Sequence, residues 1–185
     1  MAGQETKRGG GFSSAWRWFD ARIPFKYLLG TTLMGTFLLM FVGSYTKSIG
    51  AGSACPDWPT CYGVWFPFLH PGIIESSSYS GIQIFAEWAH RGIAMVVGIL
   101  ILLSAVMGWL KHRNNRWIVG SLALALVLLP VQAMLGALTV WGYSTIPMSF
   151  YDHGLLVAVH LGTATVIIIG LTVATTVTWY DTSLS

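Results

Sequence analysis

Charged residues are scarce in this chain of 185 residues: 9% of its side chains are charged, whereas 54% are hydrophobic. A soluble domain usually carries about 25% charged residues, so this composition excludes a water-soluble globular protein and predicts an integral membrane protein. Cysteine is also scarce, since the chain contains only two. A quinone-linked membrane thiol oxidoreductase, which needs two communicating cysteine pairs, is therefore only a distant alternative.

Four apolar stretches are each long enough to cross the roughly 30 Å of hydrocarbon in a bilayer. They comprise residues 27–46, 82–110, 117–140 and 155–179. Because a helix satisfies its own backbone polar groups in lipid, the predicted fold is all-α, a bundle of four transmembrane helices. Residues 1–26 are predicted to form a cytoplasmic tail and an interfacial segment, and residues 27–185 a single transmembrane domain.

The basic residues are distributed unevenly between the two sides of the membrane. Eight of the ten precede the first span or join the second to the third: Lys7, Arg8, Arg17, Arg22, Lys26, Lys111, Arg113 and Arg116. The positive-inside rule assigns that side to the cytoplasm. Both termini are then predicted to be cytoplasmic, and the loops at 47–81 and 141–154 extracytoplasmic. The chain is predicted to be a multi-pass protein of a prokaryotic plasma membrane, and its basic charge gives no indication of nucleic-acid binding.

Two of the five histidines lie inside apolar spans. His90 and His160 each precede the next charged residue, Lys111 and Asp181, by 21 positions, on spans that run in the same direction. At about 1.5 Å per residue, both imidazoles are predicted to lie at one depth, roughly 30 Å from the inner boundary. A lone histidine in a span would most simply hydrogen-bond to a neighbouring helix. Two at matched depth predict the axial ligands of a haem iron.

Glu87 and Arg91 flank His90 on the same span. Glu87 lies three residues before it, hence on the same helical face and one turn nearer the outside. Its carboxylate is predicted to orient a ligand, to exchange protons with a substrate, or only to pair with Arg91 or Lys47. Arg91 is suitably placed to bind a haem propionate. Its position is explained equally well if the side chain extends to the membrane interface, where its charge is solvated.

The remaining polar candidates are weaker. Gln132, which follows a proline on the third span, is a candidate cofactor contact or a donor needed by a kinked helix. His153 opens the fourth span seven residues before the histidine of that span, so it either lines the mouth of the same site or lies at the interface. His70 and His112 fall in loops, where solvated roles suffice.

Both cysteines, Cys55 and Cys61, lie in the loop predicted to be extracytoplasmic, with five residues between them. A disulfide is chemically permitted on that oxidising side. Its plain function is to close a proline-rich turn, with a stabilisation of about 2 kcal/mol or somewhat more. The alternative is a thiol pair that exchanges electrons with a buried centre. The spacing favours the structural role, since redox pairs more often have two intervening residues.

Four ordered motifs between residues 43 and 165 resemble the haem A synthase family. They are residues 50–63 (GAGSACPDWPTCYG), 87–91 (EWAHR), 132–136 (QAMLG) and 159–164 (VHLGTA). The resemblance implies oxidation of the ring methyl of haem O to a formyl group through a hydroxymethyl stage. It also implies that His90 and His160 hold haem, that Glu87 is catalytic, and that Cys55 and Cys61 form a disulfide. The expected haem is the substrate haem O, haem B, or both.

The sequence departs from that family in two respects. Lys47 stands where an arginine is usual, which keeps the charge and loses the planar fork. Many relatives carry eight spans in two similar halves, whereas this chain has no second Glu-x-x-His. We therefore expect a homo-oligomer, in the simplest case a dimer, with haem O synthase or a terminal oxidase as further partners. The alternative function is a non-enzymatic haem-binding subunit or assembly factor of a respiratory oxidase.

Overall fold

The computed structural model of the protein describes residues 24–145 and 153–183. The tail and interfacial segment predicted for residues 1–26 therefore lie almost wholly outside the described residues, as does half of the loop predicted for residues 141–154. The described part contains α-helices joined by turns, which agrees with the predicted all-α class.

The helices follow the hydrophobic pattern of the sequence. In chain order they are α1 (Phe25–Ser48), α2 (Pro71–Ser76), α3 (Gly81–His112), α4 (Arg116–Thr145) and α5 (His153–Ser183). Among the described residues, α1, α3, α4 and α5 are long and apolar enough to cross a membrane. Each contains one of the four predicted spans and extends beyond it at both ends, so those predictions are confirmed.

The four long helices pack as a ring. Helix α1 contacts α3 and α5, and α4 contacts the same two helices, so α3 and α5 occupy opposite corners of the bundle. One fully buried side chain from each helix fills the half of the bundle remote from the α1–α3 loop: Leu29, Ile101, Leu122 and Leu171. The buried carboxylate of Glu87 and the His90 ring lie in the other half, nearer that loop.

The loop between α1 and α3 forms a small second core over the ends of those helices. Ala51, Ala54 and both cysteines are buried there against Ile84 of α3. The loop leaves α1 through Gly50, whose φ of 68° lies in the left-handed region that glycine adopts without a Cβ penalty. Helix α3 then begins with a capping box, in which Ser80 and Gln83 exchange hydrogen bonds.

Two hydrogen bonds fix that loop to the helix ends. The side-chain amide of Gln83 donates to the carbonyl of Ile49 over 2.8 Å, which joins the start of α3 to the end of α1. The indole N–H of Trp88 donates to the carbonyl of Trp65 over 2.7 Å, which holds the later part of the loop against α3. The loop is therefore packed onto the bundle end that carries the candidate site.

Candidate functional site

His90 and His160 lie on α3 and α5, the diagonally opposite helices of the ring. His90 is the tenth residue of α3 and His160 the eighth of α5. At about 1.5 Å per residue, both lie roughly 11–14 Å from the N-terminal ends of their helices. The two imidazoles are close enough to interact electrostatically. The structure thus brings the two predicted haem ligands into one region of the bundle interior.

A glycine from a neighbouring helix lies against each imidazole. A Cβ atom at Gly43 of α1 would stand 2.7 Å from Cε1 of His90, a separation that real side chains do not adopt. A Cβ atom at Gly136 of α4 would stand 3.8 Å from Cε1 of His160, which is ordinary contact. The position of the His90 ring therefore depends on the absence of a side chain at residue 43.

Both imidazoles retain a buried nitrogen without a partner. Nδ1 of His90 and Nδ1 of His160 make no hydrogen bond with any described residue. The backbone carbonyl of Leu39 lies beside the His90 ring. A buried polar atom without a partner is costly, and a ligand, ion or water commonly explains it.

These residues fit a haem held between two histidines. Within residues 24–145 and 153–183, no group of three or more His, Cys, Asp or Glu side chains is arranged to hold a bare metal ion. A haem iron takes its equatorial ligands from the porphyrin, so it needs only axial ligands from the protein. Two imidazoles on opposite helices, each with an unsatisfied nitrogen, are such a set.

Gln132 of α4 contacts the backbone of the second histidine. Its side-chain amide nitrogen donates to the carbonyl of His160 over 2.9 Å, and its Oε1 atom is buried without a partner among the described residues. The Thr163 hydroxyl donates to the same carbonyl over 3.1 Å. Gln132 therefore fixes the part of α5 that carries His160, while a direct contact with a cofactor remains a prediction.

Glu87 is buried, with 3% of its surface exposed, and both of its oxygens have partners. Oε1 accepts a hydrogen bond from Nη2 of Arg91 over 2.5 Å, and Oε2 accepts one from the backbone N–H of Cys55 over 2.9 Å. Among the pairings left open by the sequence, the structure shows the one with Arg91. The carboxylate lies at the junction between α3 and the disulfide loop, one turn from His90.

Arg91 is bound to the same loop. Its Nη1 atom donates to the carbonyls of Asp57 and Thr60, the latter over 2.6 Å, and its Nη2 atom donates to the carbonyl of Cys55 over 2.9 Å. Together with the bond to Glu87, these contacts engage both terminal nitrogens of the guanidinium. The contact predicted between Arg91 and a haem propionate remains a prediction.

Cys55 and Cys61 form a disulfide, with their Cα atoms 4.7 Å apart, and both are fully buried. Inside the loop, Oδ2 of Asp57 accepts hydrogen bonds from the Thr60 hydroxyl and from the backbone N–H of Gly63, the latter over 3.0 Å. Burial alone would raise the pKa of Asp57, but these hydrogen bonds outweigh it and hold that pKa below its ordinary value. The loop is thus closed by a covalent bond and organised by an ionised carboxylate.

The other histidines have separate surroundings. Helix α5 begins at His153, but the side chain of that residue lies outside what the structure describes, so its predicted place at the mouth of the site remains a prediction. His70 is exposed, in agreement with a solvated role. His112 is half-buried and stacks on Phe25 with ring centroids 5.0 Å apart, so its surroundings are more apolar than a solvated loop position implies.

Sequence reasoning missed the glycine that makes room for His90 and the backbone donor to Glu87. Gly43 lies on another helix, and no spacing in the sequence links it to the histidine. The Cys55 N–H is a main-chain group in an irregular loop, so no side-chain pattern marks it. The interval of four residues between Glu87 and Arg91 was a usable signal, because residues four apart on a helix are neighbours.

Comparison with known proteins identifies related sequences. Residues 26–183 match the sequence model of the family described as "Cytochrome oxidase assembly protein" (COX15-CtaA). The protein named "Heme A synthase" in Bacillus pumilus is 30% identical over 139 residues, which cover 71% of this chain and 38% of that protein. The "Protoheme IX farnesyltransferase" of Halobacterium salinarum is 30% identical over 125 residues, which cover 68% of this chain and 25% of that protein.

Other relatives show the same partial coverage. The "Heme A synthase" of Bacillus licheniformis is 30% identical over 141 residues, which amount to 40% of its length. The chain therefore spans less than half the length of these curated relatives. No solved structure matches the chain.

Proposed function

The chain belongs to the cytochrome oxidase assembly protein family, COX15-CtaA, and from this membership we propose that it is a haem A synthase. The proposed reaction oxidises the ring methyl of haem O to a formyl group through a hydroxymethyl stage. Written with water as the source of the oxygen atom, it releases four protons and four electrons, and an external electron acceptor takes up the electrons. The observation that carries the proposal is the pair of half-buried imidazoles on opposite helices, each with a buried and unpartnered Nδ1 atom, with a buried carboxylate one turn from the first. Relatives named "Heme A synthase" support the reaction.

His90 and His160 are proposed to hold the haem through its iron, which supplies the oxidative chemistry when bound. Gly43 has no side chain that would clash with the His90 ring, and Gln132 fixes the backbone of α5 at His160 through a hydrogen bond. Groups that orient a metal ligand in this way commonly have large effects on metal affinity and activity. The protein thus supplies a preorganised interior site whose far end is closed by packed side chains.

Glu87 is proposed to accept a proton released as the methyl group is oxidised. The carboxylate oxygens accept hydrogen bonds from Arg91 and from the Cys55 N–H, and an ionised carboxylate has about four lone-pair sites in all. The carboxylate faces the disulfide loop, so a proton held at Oε1 or Oε2 lies between the haem region and the end of the bundle. Removal of this group should impair the oxidation more than haem binding.

The proposed orientation places the disulfide loop outside the cell. Lys111, Arg113 and Arg116 lie at the turn between α3 and α4, at the opposite end of the bundle from Cys55 and Cys61. The positive-inside rule assigns the basic end to the cytoplasm, which leaves the disulfide on the oxidising side. We propose a multi-pass protein of the prokaryotic plasma membrane with both termini in the cytoplasm.

We also propose that the protein acts as a homo-oligomer, in the simplest case a dimer. Homo-oligomers with closed symmetry are common among proteins, and two-fold dimers are the commonest of them. A second copy would supply four further spans of the same kind. A haem O synthase or a terminal oxidase are proposed as further partners, since one makes the substrate and the other uses the product.

A second candidate function is haem binding without oxidation. The observation that favours it is the similarity to proteins of Halobacterium salinarum named "Protoheme IX farnesyltransferase", limited to about a quarter of their length. The chain has only seven acidic residues, and none lies near another in sequence. Within residues 24–145 and 153–183, no group of three or more His, Cys, Asp or Glu side chains is arranged to hold a metal ion such as Mg²⁺. Under this second proposal, the part of the sequence shared with those proteins binds haem.

The test is expression in membranes that supply haem O and lack any other haem A synthase, followed by chromatography and mass analysis of the extracted haems. The proposal predicts haem A or its hydroxymethyl precursor with the wild-type chain. It predicts neither product with Glu87→Gln, although the variant should still retain haem. Unmodified haem O or haem B in both samples would contradict the enzyme and favour the haem-binding subunit.

A further inference from the structure

The Arg91 side chain joins three parts of the disulfide loop to one carboxylate. Its terminal nitrogens donate to the carbonyls of Cys55, Asp57 and Thr60 and to Oε1 of Glu87. All three carbonyls belong to the segment that the disulfide closes or adjoins. The second oxygen of Glu87 accepts from the backbone N–H of Cys55, so the carboxylate and the guanidinium hold the loop together.

Only a guanidinium matches this arrangement. It presents donors in a planar, rigid fork, whereas a lysine ammonium is a compact group on a flexible stem. The side chain of Arg91 is 13% exposed and that of Glu87 is 5% exposed. Few water molecules can therefore reach this ion pair to replace a hydrogen-bond donor that is removed. Loop carbonyls left without a donor would carry the cost of buried, unsatisfied acceptors.

We infer that Arg91 is a positioning residue, which fastens the disulfide loop onto the Glu87 carboxylate so that the loop and the start of α3 form one unit. The inference rests on the proposed function for the catalytic role of Glu87, and the contacts themselves stand without it. This role differs from the predicted contact of Arg91 with a haem propionate, because both terminal nitrogens are already engaged by protein groups.

The buried disulfide provides a direct readout of loop opening. Both cysteines have at most 1% of their surface exposed, so a water-soluble phosphine reductant can reach the sulfurs only when the loop opens. In the purified, haem-loaded protein, the rate of reduction measured by thiol labelling therefore reports how often the loop leaves α3. We expect Arg91→Gln to be reduced at least about tenfold faster than wild type, the scale that follows from losing charge-assisted hydrogen bonds.

Two controls separate the fastening role from a general loss of charge or of structure. Arg113→Gln removes an exposed arginine at the other end of α3 and should leave the reduction rate unchanged. Arg91→Lys keeps the charge and loses the fork, so its rate should lie between those of wild type and Arg91→Gln. The absorption spectrum of the bound haem should be unchanged in all three variants.

A spectroscopic signature tests the positioning of Glu87 itself. The infrared carboxylate bands of Glu87 are those that disappear in Glu87→Gln, and they should shift in Arg91→Gln because Oε1 loses its donor. Product formation should fall in Arg91→Gln and recover in part in Arg91→Lys. If the wild-type chain makes no haem A, the proposed function fails, while the reduction rates and infrared bands still decide the role of Arg91.

Two results would overturn the inference. The first is that Arg91→Gln is reduced at the same rate as wild type and its Glu87 infrared bands do not shift. If the glutamine variant does not accumulate, the same result in Arg91→Lys has the same meaning. The other is loss or spectral change of the haem in Arg91→Gln with the loop as resistant to reduction as in wild type. That second result would assign Arg91 to the haem propionate instead.

Discussion

Replacement of Gly43 by alanine should disturb haem ligation by His90 and leave ligation by His160 undisturbed. The new Cβ would stand 2.7 Å from Cε1 of His90, and ordinary contact begins near 3.4 Å, so the ring or helix α1 must move by about 0.7 Å. The matched control is Gly136→Ala, whose Cβ would stand 3.8 Å from Cε1 of His160 and requires no movement. Both substitutions exchange glycine for alanine within a helix, so both gain the same helix propensity.

The size of the effect follows from the cost of overpacking. Inserting a methyl group where none fits costs about 1–3 kcal/mol, which corresponds to a loss of haem affinity of about 5- to 150-fold if the strain falls on the ligand. The gain in helix propensity, about 1 kcal/mol in both variants, offsets part of this cost for folding. It does not restore the position of the imidazole.

The assay is the haem content of each purified variant, combined with the electron paramagnetic resonance spectrum of the oxidised protein, which reports the orientation of two axial imidazoles. Gly43→Ala should lose haem or show an altered low-spin signal, and Gly136→Ala should resemble wild type. A wild-type signal and haem content in Gly43→Ala would refute the placement of His90 beside α1, and with it the proposed ligand geometry.

Three further predictions concern the ligands and the loop. The His160→Ala variant should lose the bis-histidine absorption spectrum, whereas the exposed His70→Ala variant should keep it; an unchanged spectrum in the first would remove His160 from the ligand set. Serine at both Cys55 and Cys61 should lower the thermal unfolding midpoint, by the loss of about 2 kcal/mol or more, while turnover per bound haem is retained; loss of turnover in the haem-loaded variant would indicate electron transfer by the thiols instead. The pKa of Asp57 is lowered in the folded loop, so ionised Asp57 stabilises the loop fully above the ordinary pKa of 3.8. This stabilisation is lost as the pH falls through the lower folded pKa. Acid should therefore accelerate reduction of the disulfide in wild type and not in Asp57→Asn.

Hydrophobicity and length predicted the four spans because lipid leaves so few ways to satisfy a backbone. The described helices contain all four predicted stretches. The candidate site followed from residues whose presence in a span is costly, above all His90 and His160. Their appearance in a shared interior region follows from a helix order that places α3 and α5 at opposite corners.

The contacts around Glu87 could not be predicted in the same way. The sequence left its partner open between Arg91 and Lys47, and the structure shows the pairing with Arg91. The loop contacts depend on backbone carbonyls and one N–H in an irregular segment, which carry no pattern of residue types. Close approaches between helices, such as that of Gly43 to His90, depend on packing that uniformly apolar spans do not encode in their periodicity.

The most direct test of the central claim uses the purified chain alone, loaded with haem O and supplied with an electron acceptor in lipid vesicles. The haems extracted after incubation would be separated by chromatography and identified by mass, for wild type and for Glu87→Gln. The account predicts the hydroxymethyl and formyl products in wild type, and bound but unmodified haem O in the variant. Unmodified haem O in both, with both proteins fully loaded, would contradict the account and leave a protein that binds haem without oxidising it.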